Sequence, residues 1–286
     1  MKRFSRVFLL VCLSLALLTV TALADTGPTS RLTVKVKNAP QELYYLDLLS
    51  MEGSPRYPSL TEEELAALDP DLYSALLAAI PAGWHGCVSQ GTDGAPIWGS
   101  LTPDENGCHT FSNYGVPWTY RVLMVTESGE VFLSEVQTRR MLQSSVTVYW
   151  AAKSLSAAPL WAGYALELLS TLVPTLLLEG LLLALLGLWN RRNLLVFLAA
   201  NVATQLAMFL ILGTTALKEG VGFGYYLLFI PLELVILLAE TVAYRRLFTE
   251  TSKRRATVYG ISANLCSAVL GWFLAEPVWK FIVSIS

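Results

Sequence analysis

Four apolar stretches, at roughly 159–189, 194–217, 223–244 and 257–275, constrain this chain more than any other feature. A helix crosses about 30 Å of hydrocarbon in about 20 residues. In lipid, only helices and closed barrels satisfy their own backbone polar groups. Residues 158–286 are therefore expected to form a four-helix transmembrane bundle, with the lipid bilayer as its partner. The first stretch is long enough to tilt, or to bend at Pro174. The tail from Glu276, with Pro277, Trp279 and Lys280, is expected to lie at the membrane interface.

Charge separates this part from what precedes it. From Asp25 to Lys153 there are 8 basic and 15 acidic residues; from Ala157 onward there are 9 and 7. The first part is expected to be a water-soluble acidic domain, and acidity argues against nucleic acid, which needs clustered Lys and Arg. Before it, Lys2, Arg3 and Arg6 precede an apolar run from Val7 to Val20 and an Ala22-Leu23-Ala24 cleavage pattern. That is the form of a secretory signal peptide, residues 1–24, which would export residues 25–157. No Asn-x-Ser/Thr acceptor site occurs, which fits a bacterial source.

Orientation follows from the loops. Arg191 and Arg192 lie between the first two spans, and Arg245, Arg246, Lys253, Arg254 and Arg255 between the last two. The middle loop holds only Lys218 and Glu219. Basic loops stay in the cytoplasm. The expected localisation is thus the plasma membrane, multi-pass, with the N-terminal domain and the C-terminus extracytoplasmic. Trp161, Tyr164, Tyr225, Tyr226, Trp272 and Trp279 would then form the outer aromatic belt, and Trp189 and Tyr244 the inner one.

The exported domain alternates strand and turn signals. Leu32, Val34 and Val36 alternate with Thr33, Lys35 and Lys37, as a half-buried strand does. Tyr44 to Leu49, Thr119 to Thr126, Val131 to Val136 and Ser145 to Trp150 are further strand candidates, with a hairpin turn at Glu127-Ser128-Gly129-Glu130. Thr61 with Glu64 is a capping box, and Asp69-Pro70 starts a helix lined by Leu72, Leu76, Leu77 and Ile80. The expected fold is a β-rich sandwich with a helical insert. Residues 81–118 are too rich in Gly and Pro for long elements. There, Trp84, Trp98, Tyr114 and Trp118 are candidates for an aromatic ligand surface; the alternative is that they fill the core beneath long loops.

Cys87 and Cys108 are the only cysteines of this domain. In an exported protein such a pair is expected to be a disulfide, which would add about 3 kcal/mol by restricting the unfolded chain. His85 and His109 beside them offer a Cys₂His₂ zinc set as an alternative, in an unfamiliar spacing. No other metal and no cofactor is expected. Cys266, in a span, is expected to be an inert small hydrophobe.

Polar residues inside the spans are costly, at least about 2.5 kcal/mol for a charge at mid-bilayer. They are Glu179, Asn201, Thr204, Glu233, Glu240, Asn264 and Ser267, with Gln205 beside them. Such groups should face the bundle interior and find partners. Glu179 precedes Asn201 by 22 residues and Glu240 precedes Asn264 by 24, and each Asn is followed at the third residue by Thr204 or Ser267. Each half then consists of a helix with Glu, a basic loop, and a helix with Asn-x-x-Ser/Thr. A 2+2 helix repeat explains this; chance placement of residues that join membrane helices also does. Glu233 fits the register as well as Glu240.

The segments "NAP…YYLDLL", "NYGVPWTYRVLMVTESGEVFLSE", "LLLEGLLLALLG…NVAT" and "LLAETVAY…ANLCSAVLGW" together resemble uncharacterised predicted membrane proteins of Gram-positive bacteria. The resemblance implies the same architecture and no mechanism. On the residues themselves, the expected function is non-enzymatic: the exported domain binds a ligand or partner. The spans hold no His or Asp, and no phosphate-binding loop or nucleophile elbow occurs. The alternative is a small-solute or ion transporter or channel subunit using Glu179 and Glu240. Four helices enclose little room, so that reading implies an oligomer.

Overall fold

The computed structural model describes residues 28–53, 55–157 and 159–285; the expected signal peptide lies outside them. The chain divides into two compact units, whose main parts are Thr29–Leu160 and Trp161–Ile282.

The first unit is a β-sheet region with a helical insert. Its elements are β1 (Arg31–Lys37), β2 (Tyr44–Ser50), α1 (Glu62–Ala66), α2 (Pro70–Ala78), β3 (His85–Gly86), β4 (Cys108–Ser112), β5 (Thr119–Thr126), β6 (Val131–Leu133), β7 (Gln137–Thr138), β8 (Gln143–Tyr149) and β9 (Ser154–Ala157). One sheet has the order β4-β1-β8-β9, and the other β3-β2-β5-β6 with β7 also on β5. In β1 the alternation is plain: Leu32 and Val34 are buried while Arg31 and Lys35 are exposed. β1 runs antiparallel to β4 and parallel to β8, so Val34 stands between His109 and Val146. Leu32, Val34, Phe111 and Val148 from this sheet and Leu46, Leu48, Val122 and Met124 from the other share one apolar core.

β2 is buried along its whole length rather than on alternate residues. The insert accounts for this, because α2 lies against β2 and β5. α1 begins with reciprocal caps, Glu64 N to Thr61 Oγ1 at 3.2 Å and Thr61 N to Glu64 Oε2 at 2.8 Å. α2 begins with Leu72 N donating to Asp69 Oδ1 at 2.9 Å, with Pro70 in first position. The β5–β6 hairpin turns at Gly129, whose φ of 88° lies in the left-handed region that suits glycine.

Among the described residues, the second unit contains four helices long and apolar enough to cross a membrane, which makes this a multi-pass membrane protein. They are α3 (Leu160–Leu185), α4 (Arg191–Glu219), α5 (Phe223–Leu247) and α6 (Lys253–Ile285). α4 contains a π-helical turn at Phe209–Gly213. α6 does not stop at residue 275: the tail expected at the interface is helical through Pro277, with Lys280 paired to Glu276 at 2.7 Å. A proline inside a membrane helix removes one hydrogen bond that neighbouring groups can replace.

The two arginine-rich loops meet at one end of the bundle. Asn193, fully buried, donates from Nδ2 to Leu188 O (3.0 Å) and Thr249 O (3.1 Å), and its Oδ1 accepts from Thr249 N (2.8 Å). Arg255 donates across the same gap to Leu186 O.

Candidate functional site

A membrane helix uses its backbone N–H groups internally, so a carboxylate at depth must take its donors from side chains. Glu179 on α3 and Glu240 on α5 are 1% and 2% exposed, and both do so. Asn201 Nδ2 donates to Glu179 Oε2 at 3.1 Å, and Asn264 Nδ2 donates to Glu240 Oε2 at 3.1 Å. The hydroxyls cross over: Ser267 donates to Glu179 Oε1 at 2.7 Å, and Thr204 to Glu240 Oε1 at 2.5 Å. Each carboxylate thus receives an asparagine from its own helix pair and a hydroxyl from the other pair.

Tyr244 joins the two sets. Its hydroxyl donates to Glu240 Oε2 at 2.9 Å and accepts from Asn201 Nδ2 at 2.9 Å. It was expected in the inner aromatic belt, but it is fully buried. The spacing of one helical turn from Glu240 was the signal that could have found it. None of the ion pairs among the described residues involves Glu179 or Glu240.

Glu233 is not part of this network. It lines a cavity with Glu167, Thr171, Thr175, Gln205 and Ser267, beside Tyr225 and Phe229. The space open to centres of water-sized molecules is about 40 Å³. At about 10–15 Å³ per water, that holds about three waters. Glu167, 6% exposed, also lines the cavity; its place near the start of α3, where a carboxylate can usually reach water, hides it in the sequence. Its Oε2 has no hydrogen-bond partner among the described residues. Gly213, in the π-helical turn of α4, lies beside it: a Cβ there would come within 3.3 Å of Glu167 Cγ. Such turns recur at functional positions.

In the first unit, the four candidate aromatics separate. Trp84 packs against the core, with the Arg121 guanidinium 5.6 Å from its ring. Trp98, Tyr114 and Trp118 are 64%, 68% and 43% exposed. Trp98 is fixed by two backbone bonds with Ser112, at 2.9 and 2.8 Å. Trp118 lies 4.3 Å from the Arg139 guanidinium. That arginine is 4% exposed and donates to Pro117 O (2.9 Å), Leu142 O (2.7 Å) and Val116 O (2.8 Å). Burial lowers its pKa to about 10. Asp47, fully buried in β2, accepts from Val88 N (3.0 Å) and Ser89 N (2.9 Å). Burial raises its carboxyl above the usual range, against those hydrogen bonds.

The expected Cys87–Cys108 disulfide is not formed; both are free thiols. Cys87 follows β3, with its N–H on Leu48 O of β2, and is fully buried in the core. Cys108 opens β4, where it alternates with the buried His109 and Phe111, so its side chain leaves the opposite face of the strand, with Sγ near Asn106 O. Burial pushes the Cys87 thiol well up. The zinc alternative is divided as well, with His85 in β3 and His109 in β4. Among the described residues, no three His, Cys, Asp or Glu side chains are grouped to hold a metal. Burial lowers the pKa of His109 to about 4, against the opposing pull of the Ser100 carbonyl.

Comparison of the chain with models of protein families, with curated proteins and with solved structures finds no significant match.

Proposed function

We propose that this chain is a non-enzymatic protein of the plasma membrane whose exported domain binds a ligand or protein partner. In this reading a signal peptide, residues 1–24, exports residues 25–157, and both arginine-rich loops remain in the cytoplasm. The meeting of those loops through Asn193 supports a single cytoplasmic end, because it gathers the basic residues on one side. The exported domain is a sandwich in this reading, supported by the core that both sheets share. The bundle is a 2+2 repeat, supported by the crossed hydroxyls on Glu179 and Glu240.

The observation that carries the binding role is the trio Trp98, Tyr114 and Trp118. Each is a large ring held open to water, and Trp118 is backed by a buried arginine; exposed aromatics of this kind anchor partners. A photo-reactive amino acid at Tyr114, tested in intact cells, is expected to give one adduct of defined mass, and the same probe at Glu105 none. Equal adducts at both positions, or none at Tyr114, would sink the reading. Orientation is tested separately: Glu219→Cys should react with an impermeant thiol reagent on intact cells, and Thr251→Cys should not.

A second reading, a subunit that moves an ion or small solute, is favoured by one observation. Glu179 and Glu240 share a network that contains no basic residue and adjoins a polar cavity through Ser267. Flux in proteoliposomes, lost in Glu240→Gln, would support it.

A further inference from the structure

We infer that Glu179 and Glu240 form a proton-binding pair that exchanges its proton with the cavity beside it. The inference deepens the second reading, and it can hold even where no solute is carried.

The two carboxylates are joined by an unbroken chain. Glu179 Oε2 accepts from Asn201 Nδ2, that same amide donates to Tyr244 O, and Tyr244 donates to Glu240 Oε2. The titratable groups around the pair are Glu233 and Tyr244 on α5, Tyr259 on α6, which donates to Glu179 O at 3.3 Å, and Glu167 on α3 at the cavity. α4 contributes the neutral Asn201 and Thr204. Every one of these groups is neutral or acidic. Two like charges this close in a medium of low dielectric, with no counter-charge, strongly favour taking up one proton.

The donors are placed to serve both protonation states. Ser267 Oγ is 2.7 Å from Glu179 Oε1 and 3.1 Å from Asn264 O. When the carboxylate is ionised, the hydroxyl donates to it. When Oε1 carries a proton, that proton is donated to Ser267 Oγ, and the serine turns its own hydrogen to Asn264 O. Thr204 offers the same exchange for Glu240, with Ala200 O at 3.0 Å and Asn201 O at 3.1 Å as the second acceptors. Hydroxyls on helices commonly have such carbonyls within reach, as at Thr214 and Ser262; among the described residues, only at Ser267 and Thr204 is one hydroxyl shared between a carbonyl and a buried carboxylate.

Ser267 also lines the cavity, which gives the proton its route. A hydrated proton there is passed to Ser267 Oγ as the serine gives its hydrogen to Glu179; water is left behind and nothing is oxidised or reduced. One further observation points to a proton. Glu167 Oε2, in a side chain more than nine-tenths buried and lining the cavity, has no hydrogen-bond partner among the described residues and is an acceptor short of a hydrogen.

The test is infrared difference spectroscopy on the full chain in lipid nanodiscs, comparing high and low pH and following the C=O stretch of protonated carboxylic acids. Exposed carboxyls such as Glu63 titrate in every variant and cancel between them. The wild type should show a pH-dependent acid band that the Glu179→Gln/Glu240→Gln variant loses. Ser267→Ala should keep the band but slow its rise after a pH jump. A pH-dependent acid band that the double variant, folded by circular dichroism, retains in full would overturn the inference, and so would a Ser267→Ala band that rises as fast as that of the wild type. A band that answers to sodium or potassium at fixed pH and not to pH would assign the site to a metal cation instead. Flux that fails while the band titrates would remove the transport reading and leave the proton site standing.

Discussion

Asp47 and Arg139 in the first unit, and Glu179 and Glu240 in the second, are all buried charged residue types, yet their partners differ in kind. Asp47 and Arg139 are bonded mainly to main chain: the N–H groups of Val88 and Ser89, and the carbonyls of Val116, Pro117 and Leu142. Glu179 and Glu240 accept only from Asn, Ser, Thr and Tyr side chains. The difference comes from the backbone. Loops between strands leave peptide groups unpaired, and a buried charge can satisfy them. Helices in lipid leave almost none, so the sequence must supply a side-chain donor for each acceptor. Charge burial is therefore written in the sequence of the bundle and hidden in that of the first unit.

The largest expected effect breaks the main-chain side of the comparison. Arg139→Leu leaves the buried carbonyls of Val116 and Pro117 without their donor, while Leu142 O keeps Arg31 N, and it removes the support of Trp118. At about 1–3 kcal/mol for each stranded group, the loss of stability should be about 4 kcal/mol. Denaturant titration followed by tryptophan fluorescence would read it. Arg139→Lys should recover less than half, because an ammonium cannot reproduce the planar fork. A loss below about 1 kcal/mol would show that these carbonyls find water instead.

The side-chain network should distinguish shape from charge. Glu179→Leu removes an acceptor shared by Asn201, which keeps Phe197 O and the Tyr244 hydroxyl, and Ser267, which keeps Asn264 O. Losing two charge-assisted bonds is expected to cost about 2 kcal/mol in reversible unfolding from micelles. Glu179→Gln should cost under about 1 kcal/mol. The glutamine carbonyl can accept from Asn201, and its amide can donate to Ser267, which then turns to Asn264 O. Equal losses from the two substitutions would mean that ionisation itself holds the helices together.

These contrasts also explain what could be read before the fold was known. The β1 alternation, the caps at Thr61 and Asp69, and the hairpin at Gly129 are local patterns, and each stands where it was expected. The pairs Glu179–Asn201 and Glu240–Asn264 were legible because polar residues are rare in a span. Arg139 and Asp47 left no trace, since a backbone partner has no residue identity. The cysteines misled because a pair in a small domain says nothing of which face of its strand each side chain leaves. β4 was hidden among glycines and prolines, and its place beside β1 is fixed by long-range pairing alone.

A pH series sharpens the comparison in the first unit. His109 is buried neutral, with a pKa of about 4 in the fold against about 6.5 unfolded. The unfolded chain thus binds more protons between those values, so His109 contributes in full above about pH 6.5 and loses that contribution as pH falls through 4. By pH 4 the loss is about 3 kcal/mol. Asp47 acts in the opposite sense, because acid relieves a carboxyl whose burial disfavours charge. His109→Gln removes the first effect and keeps the second. Amide exchange across the β1–β4 ladder should therefore quicken on acidification in the wild type and much less in the variant. The same acid slope in both would assign the sensitivity elsewhere.

The smallest expected effects bear on whether the bundle is a true repeat. If the halves are equivalent, Thr204→Val and Ser267→Ala remove corresponding hydroxyls and should each cost about 0.6–1 kcal/mol, the usual worth of one such bond between membrane helices. Similar values alone would be weak evidence, so a second pair of positions is needed. Gly180 and Thr241 each follow their glutamate by one residue; Phe197 and Gly260 each precede their asparagine by four. A Cβ on Gly180 would meet Phe197 at 3.7 Å, while one on Gly260 would meet Thr241 Oγ1 at 2.8 Å and its Cα at 2.9 Å. The same contact is therefore made in both halves, with the small residue exchanged between the two helices. Gly180→Ala should be close to neutral. Gly260→Ala should destabilise by about 1–3 kcal/mol, as overpacking of a close contact does. The double variant Gly260→Ala/Thr241→Gly should recover only part of that loss, because it removes the Oγ1 contact but leaves the Cα at 2.9 Å. Failure of the second change to rescue the first would show that the two contacts are alike in position only.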